Sequence, residues 1–411
     1  MGTGNLYPKL DWRRYPAATG MIFFVLTLIF VFGLTMFVAG SHFYWQWRDG
    51  VDQVSTRALV MPEADYSLLW SAGNMAAAGH PVDVYDGLKL LTWRQRLFGP
   101  IFNRLDWMYP PPVLALGVGV SRFPLLSGYF VWITMICGAS VWVLRAAGLS
   151  WRVVMLGLFG PPTWTCIALG QHAPLVASLV VAGLLRSRAA PVRAGIQVAL
   201  ATFKPHLGIL VPIVWIAQRR WTAFVTAAIV TLLLAAGSTA LLGVGIWSAF
   251  LRGTGLSGRD LLEHFFKGGF PSYAASVFWM ARSFGGSLAV SYAAQAVAAV
   301  LAVAGTWMAA RHGNDTAAGT VAVCLTLLVS PYLYSFDIVG YSIVVAMLFE
   351  RRRFALLPML LWLAAGVSEL FTFLTGIAVL PALIALAALL AWREFGVSPA
   401  LPALAGAVEH A

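Results

Sequence analysis

An uncharged apolar stretch near the N-terminus is the feature that most constrains the fold of this chain. Residues 19–39 contain no Asp, Glu, Lys or Arg. This length matches the roughly 20 residues that cross the hydrocarbon core of a bilayer. The core of a signal peptide is shorter, and the aromatic-rich segment 41–47 offers no clean small-residue cleavage site. We therefore predict a retained first transmembrane helix over 19–39.

The remainder of the chain has the composition of an integral membrane protein. Of its 411 residues 60% are hydrophobic and 10% are charged, and the mean hydropathy is +0.80. Soluble domains contain about 25% charged residues. The net charge of +11 is concentrated in short basic clusters between apolar runs, as topology signals are. The composition predicts a polytopic membrane protein with a cytoplasmic N-terminus, in contact with membrane lipids and with no nucleic acid partner.

The chain is expected to form one membrane domain over 1–411. Residues 41–108 carry both acidic and basic groups and are predicted to form a long outer loop. Within this loop, 66–78 and 87–98 have helical patterns and are expected to lie along the membrane surface. Residues 109–392 then form a multi-helix bundle.

Proline interrupts many apolar runs of this bundle, near their ends or their middles. Broken helices are tolerated at membrane depth only where they line a cavity or are packed inside protein, so the pattern predicts a cavity. We expect about ten to twelve spans in all. The run 110–144 could hold one, two or three of them, and 194–217 is predicted to be a re-entrant pair of half-helices meeting at Lys204-Pro205. The tail 393–411 is expected to be cytoplasmic.

Metal, disulfide and nucleotide chemistry find no support in the sequence. The three cysteines lie inside apolar runs, and no two histidines have helical metal-binding spacing with a carboxylate between them. No soluble αβ domain and no DxD stretch is present to bind a nucleotide sugar. We therefore expect neither a metal nor any other cofactor.

The acidic residue Asp65 is the first candidate for catalysis. It could act as a general base at the edge of an outer-face cavity, where partial desolvation would raise its pKa. It could equally be the N-cap of the helix that begins at Tyr66. Tyr66 and His80 are candidate sugar or acceptor contacts, although His80 lies in GHPVDVYD, which is rich in ordinary turn residues.

Three further polar residues stand where apolar runs begin or end. Tyr109 opens YPPP, and Gln171 and His172 lie in ALGQHAP. An amide and an imidazole can bind sugar hydroxyls, and we name all three as candidate sugar or acceptor contacts. Interfacial anchoring of a helix end is the alternative explanation for each.

Lys204 lies inside an apolar run, next to a helix-breaking proline. A buried ammonium is costly unless it faces water or binds an anion, so this residue is predicted to hold an anion, of which phosphate is the natural one. Arg259, His264, Lys267 and Arg282 could complete the phosphate site. Each of these four residues alone could instead be a solvated charge or an interfacial anchor.

The last motif, SPYLYSFD, contains Tyr334 and Asp337. They are candidate sugar or acceptor contacts. The alternative is an N-capping Asp337 with tyrosines anchored at the interface.

In their order along the chain these motifs resemble one family. The series ADY…G…VYD, YPPP, GQ, Lys-Pro, PSYAASVFWMAR and SP…YSFD is similar to the bacterial C-type (GT-C) polytopic glycosyltransferases. In particular it resembles glycosyltransferase family 87, which includes polyprenol-phosphate-mannose-dependent mannosyltransferases. The resemblance extends from the first helix to about residue 350.

This resemblance implies a fold, a reaction and a location. The fold is an all-α, GT-C-like bundle. The donor is a monosaccharide on a polyprenyl phosphate, the acceptor is a lipid or a glycan, and the general base falls by position on Asp65. The enzyme is expected to be a monomer in the bacterial inner membrane, with its active site facing the periplasm or cell exterior. Family mannosyltransferases often carry histidines where this chain has Tyr332, Tyr334 and Asp337, which leaves the sugar open between mannose and a related one.

The physical requirements of such a transfer agree with the resemblance. A departing lipid phosphate requires positive charge, which Lys204 would supply, and the acceptor hydroxyl requires a base on the opposite side of the anomeric carbon. Direct displacement would invert the anomeric configuration. A secondary transporter or flippase is the main alternative, because broken helices also mark substrate pathways, although the sequence has no visible pseudo-repeat. A membrane acyltransferase or polymer ligase is a third alternative. It is disfavoured because acyltransferases of the membrane-bound type generally need a histidine deep in a span, and the sequence shows no convincing one.

Overall fold

The computed structural model describes residues 65–99, 104–264, 273–352 and 356–396. Three sequence predictions lie outside these ranges: the first transmembrane helix over 19–39, the phosphate-binding role of Lys267, and the tail after Gly396. Within the described ranges the chain forms seventeen α-helices and no strand, which confirms the all-α class.

The helices fall into three consecutive sets. The first is α1 Asp65–Ala77, α2 Gly87–Phe98, α3 Pro111–Val120, α4 Leu125–Ala146, α5 Trp151–Leu158 and α6 Pro161–Leu169. The second is α7 Ala173–Arg186, α8 Pro191–Ala201, α9 Val211–Ala217, α10 Trp221–Leu242 and α11 Ile246–His264. The third is α12 Val277–Ser283, α13 Leu288–His312, α14 Asp315–Thr326, α15 Val339–Arg351, α16 Leu356–Thr375 and α17 Leu380–Gly396.

The two short helices predicted in the first loop are confirmed to within one residue as α1 and α2. Gly79, just after α1, has a φ of 95°, a conformation that suits glycine at a helix end. Asp86 caps α2 by accepting from the amides of Leu88 and Lys89, at 3.0 and 3.2 Å. Local signals therefore fix both helices.

Helix α1 is more deeply packed than an interfacial helix requires. Nine of its thirteen residues are buried. Its Gly73 lies against α3 so closely that a Cβ there would be 2.0 Å from the Gly117 carbonyl oxygen. Only glycine permits this approach. The first residue of α1, Asp65, is thereby held inside the bundle.

Four described helices are long and apolar enough to cross a membrane: α4, α10, α13 and α16. A fifth span exists if α5 and α6, bent by 56°, count as one. This is fewer than the ten to twelve spans predicted, because proline divides the apolar runs into short helices. The run 110–144, for example, forms two helices, of 10 and 22 residues. The higher count, which also requires shorter helices to cross, stays a prediction.

The chain breaks where the sequence predicted, at Lys204-Pro205. Helix α8 ends at Ala201, a 3₁₀ turn follows at Pro205–Leu207, and α9 begins at Val211. Two well-buried helices, α7 and α14, lie beside this break. Eleven of the fourteen residues of α7 and nine of the twelve of α14 are buried. The break therefore places Lys204 against the core.

Candidate functional site

The turn between α6 and α7 brings a polar residue to the start of α1. Gly170 ends α6 with a φ of 76°, and a Cβ on it would lie 2.3 Å from the Cβ of Tyr66. The Trp132 indole donates to the Gly170 carbonyl oxygen at 3.0 Å, and the Tyr129 hydroxyl donates to that of Ile167 at 2.5 Å. These bonds satisfy carbonyls at the C-terminus of α6. The next residue in the chain is then held beside Asp65.

That residue, Gln171, links Asp65 to Tyr109. The Tyr109 hydroxyl donates to Gln171 Oε1 at 3.0 Å, and the buried Gln171 side chain also hydrogen-bonds the Asp65 carboxyl. Because Oε1 already accepts from Tyr109, the amide NH₂ is the group that donates to Asp65. The predicted residues Asp65, Tyr109 and Gln171 are therefore brought together.

Asp65 is a partly buried carboxyl in the first turn of α1. Burial raises its pKa above the ordinary value, while the hydrogen bond from Gln171 and the charge of Lys204 act in the opposite direction. A raised pKa suits a group that must accept a proton near neutral pH. A carboxylate at the N-terminus of a helix also interacts favourably with the helix dipole, so the structural and catalytic interpretations are compatible.

Lys204 and Asp337 form a buried ion pair. Lys204 Nζ lies 2.7 Å from Asp337 Oδ1, and the two side chains are 4% and 2% exposed. The ammonium also lies 5.2 Å from the Phe336 ring centroid and 5.9 Å from that of Tyr109. His206 Nε2 lies 3.6 Å from Asp337 Oδ2. The predicted phosphate ligand thus already has a carboxylate partner.

Asp337 is not a helix cap, so that alternative interpretation is wrong. It ends a 3₁₀ turn over Ser335–Asp337, and the N-cap of α15 is Ile338, without a side-chain capping bond. Both Asp337 and Lys204 act electrostatically on Asp65. We call the set Asp65, Tyr109, Gln171, Lys204 and Asp337 the central cluster.

His172 borders the central cluster in a buried position. Its ring lies 5.3 Å from that of Tyr109 and 6.3 Å from that of Trp132. Its Nε2 is buried and has no hydrogen-bond partner among the described residues. A buried imidazole nitrogen without a partner is a candidate ligand contact.

Two other predicted contacts are mainly packed against aromatic rings. Tyr66 is buried and meets Tyr129 edge to face, with ring centroids 5.5 Å apart. Tyr334 is buried and stacks on Phe336 at 5.4 Å. These rings form the apolar wall next to the central cluster.

Helix α1 separates His80 from the central cluster. His80 follows the C-terminal end of α1, whereas Asp65 begins the helix, and α1 is about 18 Å long at 1.5 Å per residue. The side chain is largely exposed, and its Nδ1 lies 3.5 Å from Asp83 Oδ2. The role of His80 as a sugar contact stays a prediction, and no described contact joins His80 to the central cluster.

Three of the four basic residues predicted to complete a phosphate site lie in the described ranges, and each of these three has a local partner. The Arg259 side chain, 77% exposed, lies 3.6 Å from Glu263, and His264 Nδ1 lies 2.9 Å from Asp260. Arg282 donates to the Gly286 carbonyl oxygen at 2.8 Å. We call Arg259, His264 and Arg282 the outer basic group. Their binding of a donor phosphate stays a prediction.

Sequence reasoning missed three residues near the central cluster. Arg94 on α2 is fully buried, donates to Ser67 Oγ at 3.3 Å and acts electrostatically on Asp65. Tyr273 and Glu369 are electrostatically coupled to each other, and Tyr273 is also coupled to Asp65. For Glu369 the available signal was a charge within an apolar pattern, whereas Arg94 lies on α2 with two other basic residues and no local signal marks it.

Among the described residues, no group of three or more His, Cys, Asp or Glu side chains is arranged to hold a metal ion. The positive charges near Asp65 belong to Lys204 and Arg94. Metal independence stays a prediction.

Comparison with known proteins gives one match. The family model described as glycosyltransferase family 87 matches residues 107–331, more than half of the chain. No curated protein and no solved structure matches significantly. The matched segment contains Tyr109, Gln171 and Lys204, whereas Asp65 and Asp337 lie on either side of it. The chain therefore belongs to glycosyltransferase family 87.

Proposed function

We propose that this membrane glycosyltransferase moves a monosaccharide, mannose or a related sugar, from a polyprenyl phosphate to a hydroxyl group of a lipid or glycan acceptor. Asp65 is the proposed general base. The observation that carries the proposal is a partly buried carboxyl at the start of α1, held by the Gln171 amide and close to the buried Lys204–Asp337 pair.

The environment of Asp65 supports its role as a base. Its raised pKa favours proton uptake, and the hydrogen bond from Gln171 fixes the orientation of the carboxylate. Tyr109 in turn fixes the Gln171 amide by donating to its oxygen. This support leaves part of Asp65 accessible to an acceptor hydroxyl.

Lys204 is the proposed cation for the donor phosphate. An ammonium has three N–H donors, and Asp337 accepts from one of them at 2.7 Å. The other two could meet phosphate oxygens, while Asp337 keeps the amine charged before the donor arrives. A fixed cation in a site with little water stabilises the negative charge that develops on a leaving phosphate.

The reaction is then a single displacement. The acceptor oxygen forms a bond to the anomeric carbon as the bond from that carbon to the phosphate oxygen breaks. The electron pair of the broken bond leaves with the polyprenyl phosphate, and the hydroxyl proton passes to Asp65. One displacement inverts the anomeric configuration.

The cellular setting is part of the same proposal. The apolar helices α4, α10, α13 and α16 indicate a membrane-embedded protein. We place it in the bacterial inner membrane as a monomer, with the N-terminus in the cytoplasm and the central cluster open to the periplasm or cell exterior. A polyprenyl-linked sugar would reach such a site from within the bilayer.

The test is Asp65→Asn in the purified full-length protein, with radiolabelled polyprenyl-phosphate-mannose as donor and a bacterial lipid extract as acceptor. We expect transfer to fall about 10²–10⁴-fold, the usual contribution of a general base, with donor binding kept. Asp83→Asn is the matched control, since Asp83 lies in the same loop but pairs with Lys89 on the surface. Near-normal turnover by Asp65→Asn would disprove the base. Movement of the donor between leaflets without any product would instead favour the flippase.

A further inference from the structure

Glu369 is a carboxylate within a membrane-spanning helix. It lies on α16, whose mean hydropathy is 1.7 over an 18-residue window, and it is the only Asp, Glu, Lys or Arg between Leu356 and Thr375. An ionisable residue in a span is costly to keep, and such residues mark sites of function. Glu369 lies beyond the segment that matches the family model, and the displacement described above makes no use of it.

The contacts of Glu369 leave most of its hydrogen-bonding capacity free. The Ser335 hydroxyl donates to Oε2 at 3.0 Å. No Lys, Arg or His of the described ranges forms an ion pair with this carboxylate. A carboxylate can accept about four hydrogen bonds, so one serine leaves the other oxygen available. The side chain is only partly buried, which allows a ligand to reach it.

Glu369 borders the same region as the central cluster. Ser335 begins the 3₁₀ turn that ends at Asp337, the partner of Lys204. Tyr273 also lies near this turn, with its ring 6.2 Å from that of Phe336. Burial raises the pKa of Tyr273 to about 12, and the charges of Glu369 and Asp65 both act on it in the same direction. The Tyr273 hydroxyl is therefore within electrostatic reach of both carboxyls.

We propose that Glu369 binds hydroxyl groups of a sugar ring in the active site. The two carboxylate oxygens can accept from two adjacent hydroxyls, and Ser335 holds the carboxylate in place. Lys204 supplies the positive charge for the lipid phosphate, which leaves the neutral part of a carbohydrate to Glu369. This inference rests on the proposed function, because it requires a sugar substrate at this site.

The test uses Glu369→Gln in the purified full-length protein. Three quantities are measured: the Kd for polyprenyl-phosphate-mannose, the Kd for polyprenyl phosphate without sugar, and the KM for the acceptor in a lipid extract. Glu350→Gln is the matched control, because Glu350 on α15 also accepts from a serine, Ser150, at 2.6 Å. Glu350 lies about 20 Å along α15 from Asp337.

If Glu369 holds the donor sugar, the variant binds polyprenyl-phosphate-mannose about tenfold more weakly, the expected loss of one charge-assisted hydrogen bond. Binding of the sugar-free lipid stays unchanged. If Glu369 holds a sugar of the acceptor, both Kd values stay unchanged and the acceptor KM rises by about the same factor. Either result supports the inference.

Two results would overturn it. All three constants could equal those of Glu350→Gln, or binding of both lipids could fall equally, as expected of a purely structural residue. If the wild-type protein binds neither lipid, the proposed donor class falls and this inference falls with it. If the wild-type protein binds the donor and transfers sugar normally, and Glu369→Gln does the same, only this inference is overturned and the proposed function stands.

Discussion

The central cluster and the outer basic group both contain cations that the sequence assigned to a donor phosphate, yet they differ in burial. Lys204 is 4% exposed and meets Asp337 across 133 residues of sequence. Arg259 is 77% exposed and pairs with Glu263 one helical turn away. The first pair depends on the whole fold, whereas the second requires only a helix.

This difference distinguishes two kinds of charged residue in a membrane protein. A buried pair has a large desolvation cost, and removing one partner leaves an uncompensated charge. An exposed i,i+4 pair contributes about 0.3–0.5 kcal/mol. The central cluster therefore carries strong constraints on both stability and chemistry, and the outer basic group carries weak ones. The predictions below test this contrast, from the largest effect to the smallest.

The largest effect on stability is expected from splitting the buried pair. Lys204→Met leaves the buried Asp337 with His206 as its only ion-pair partner among the described residues and should lower the free energy of unfolding by about 3–5 kcal/mol. The double variant Lys204→Met/Asp337→Leu removes both charges and should recover most of this loss. Denaturant unfolding of the purified protein measures both variants. Asp337→Leu alone completes the cycle, and losses of the two single variants that simply add in the double variant would mean that the pair is not coupled.

A smaller loss is expected at the turn that positions Gln171. Gly170→Ala places a side chain at a φ of 76° and against Tyr66, at a cost of about 1–3 kcal/mol. Because the strain displaces Gln171 from Asp65, transfer should fall more than stability alone accounts for. Gly138→Ala is the control, since its Cβ would meet nothing within 4 Å. Transfer and thermal unfolding that remain normal in Gly170→Ala would show that the turn does not require glycine.

The next effect is a shift in the pH dependence of transfer. The hydrogen bond from Gln171 favours the charged form of Asp65 and so lowers a pKa that burial raises. Gln171→Met removes the bond, and the pKa of Asp65 should rise further. A general base acts when deprotonated, so the acid limb of the kcat/KM profile should move to higher pH. A limb that stays in place, or moves to lower pH, would contradict the role of Asp65 as the titrating base.

The same contrast explains which parts of the molecule could be predicted. Helices α1 and α2 and the break at Lys204-Pro205 follow from neighbouring residues: a glycine stop at Gly79, an aspartate cap at Asp86, and a proline. The pairing of Lys204 with Asp337 joins distant segments, and no local pattern contains it. Both residues are candidates from the sequence, but with different predicted roles: Lys204 as a phosphate ligand and Asp337 as a sugar or acceptor contact.

Buried charged residues were the hardest to recognise. Arg94 lies among other basic residues of α2, and the fold buries it completely. Glu369 lies within α16, an otherwise uncharged apolar helix. Hydropathy separates spans from loops, but it does not reveal which charged side chains turn inward.

The smallest effect is expected in the outer basic group. Arg259→Ala should change the free energy of unfolding by no more than about 0.5 kcal/mol, because the side chain is exposed and pairs only with a neighbour on α11. If the central cluster alone holds the phosphate, the Kd for polyprenyl phosphate should change less than about twofold, an energy below 0.5 kcal/mol. Arg252→Ala, on the same exposed helix, serves as the control. A larger loss of lipid affinity in Arg259→Ala but not in Arg252→Ala would instead place the outer basic group in the donor site. That loss should depend strongly on salt, because exposed charges are screened much more than buried ones.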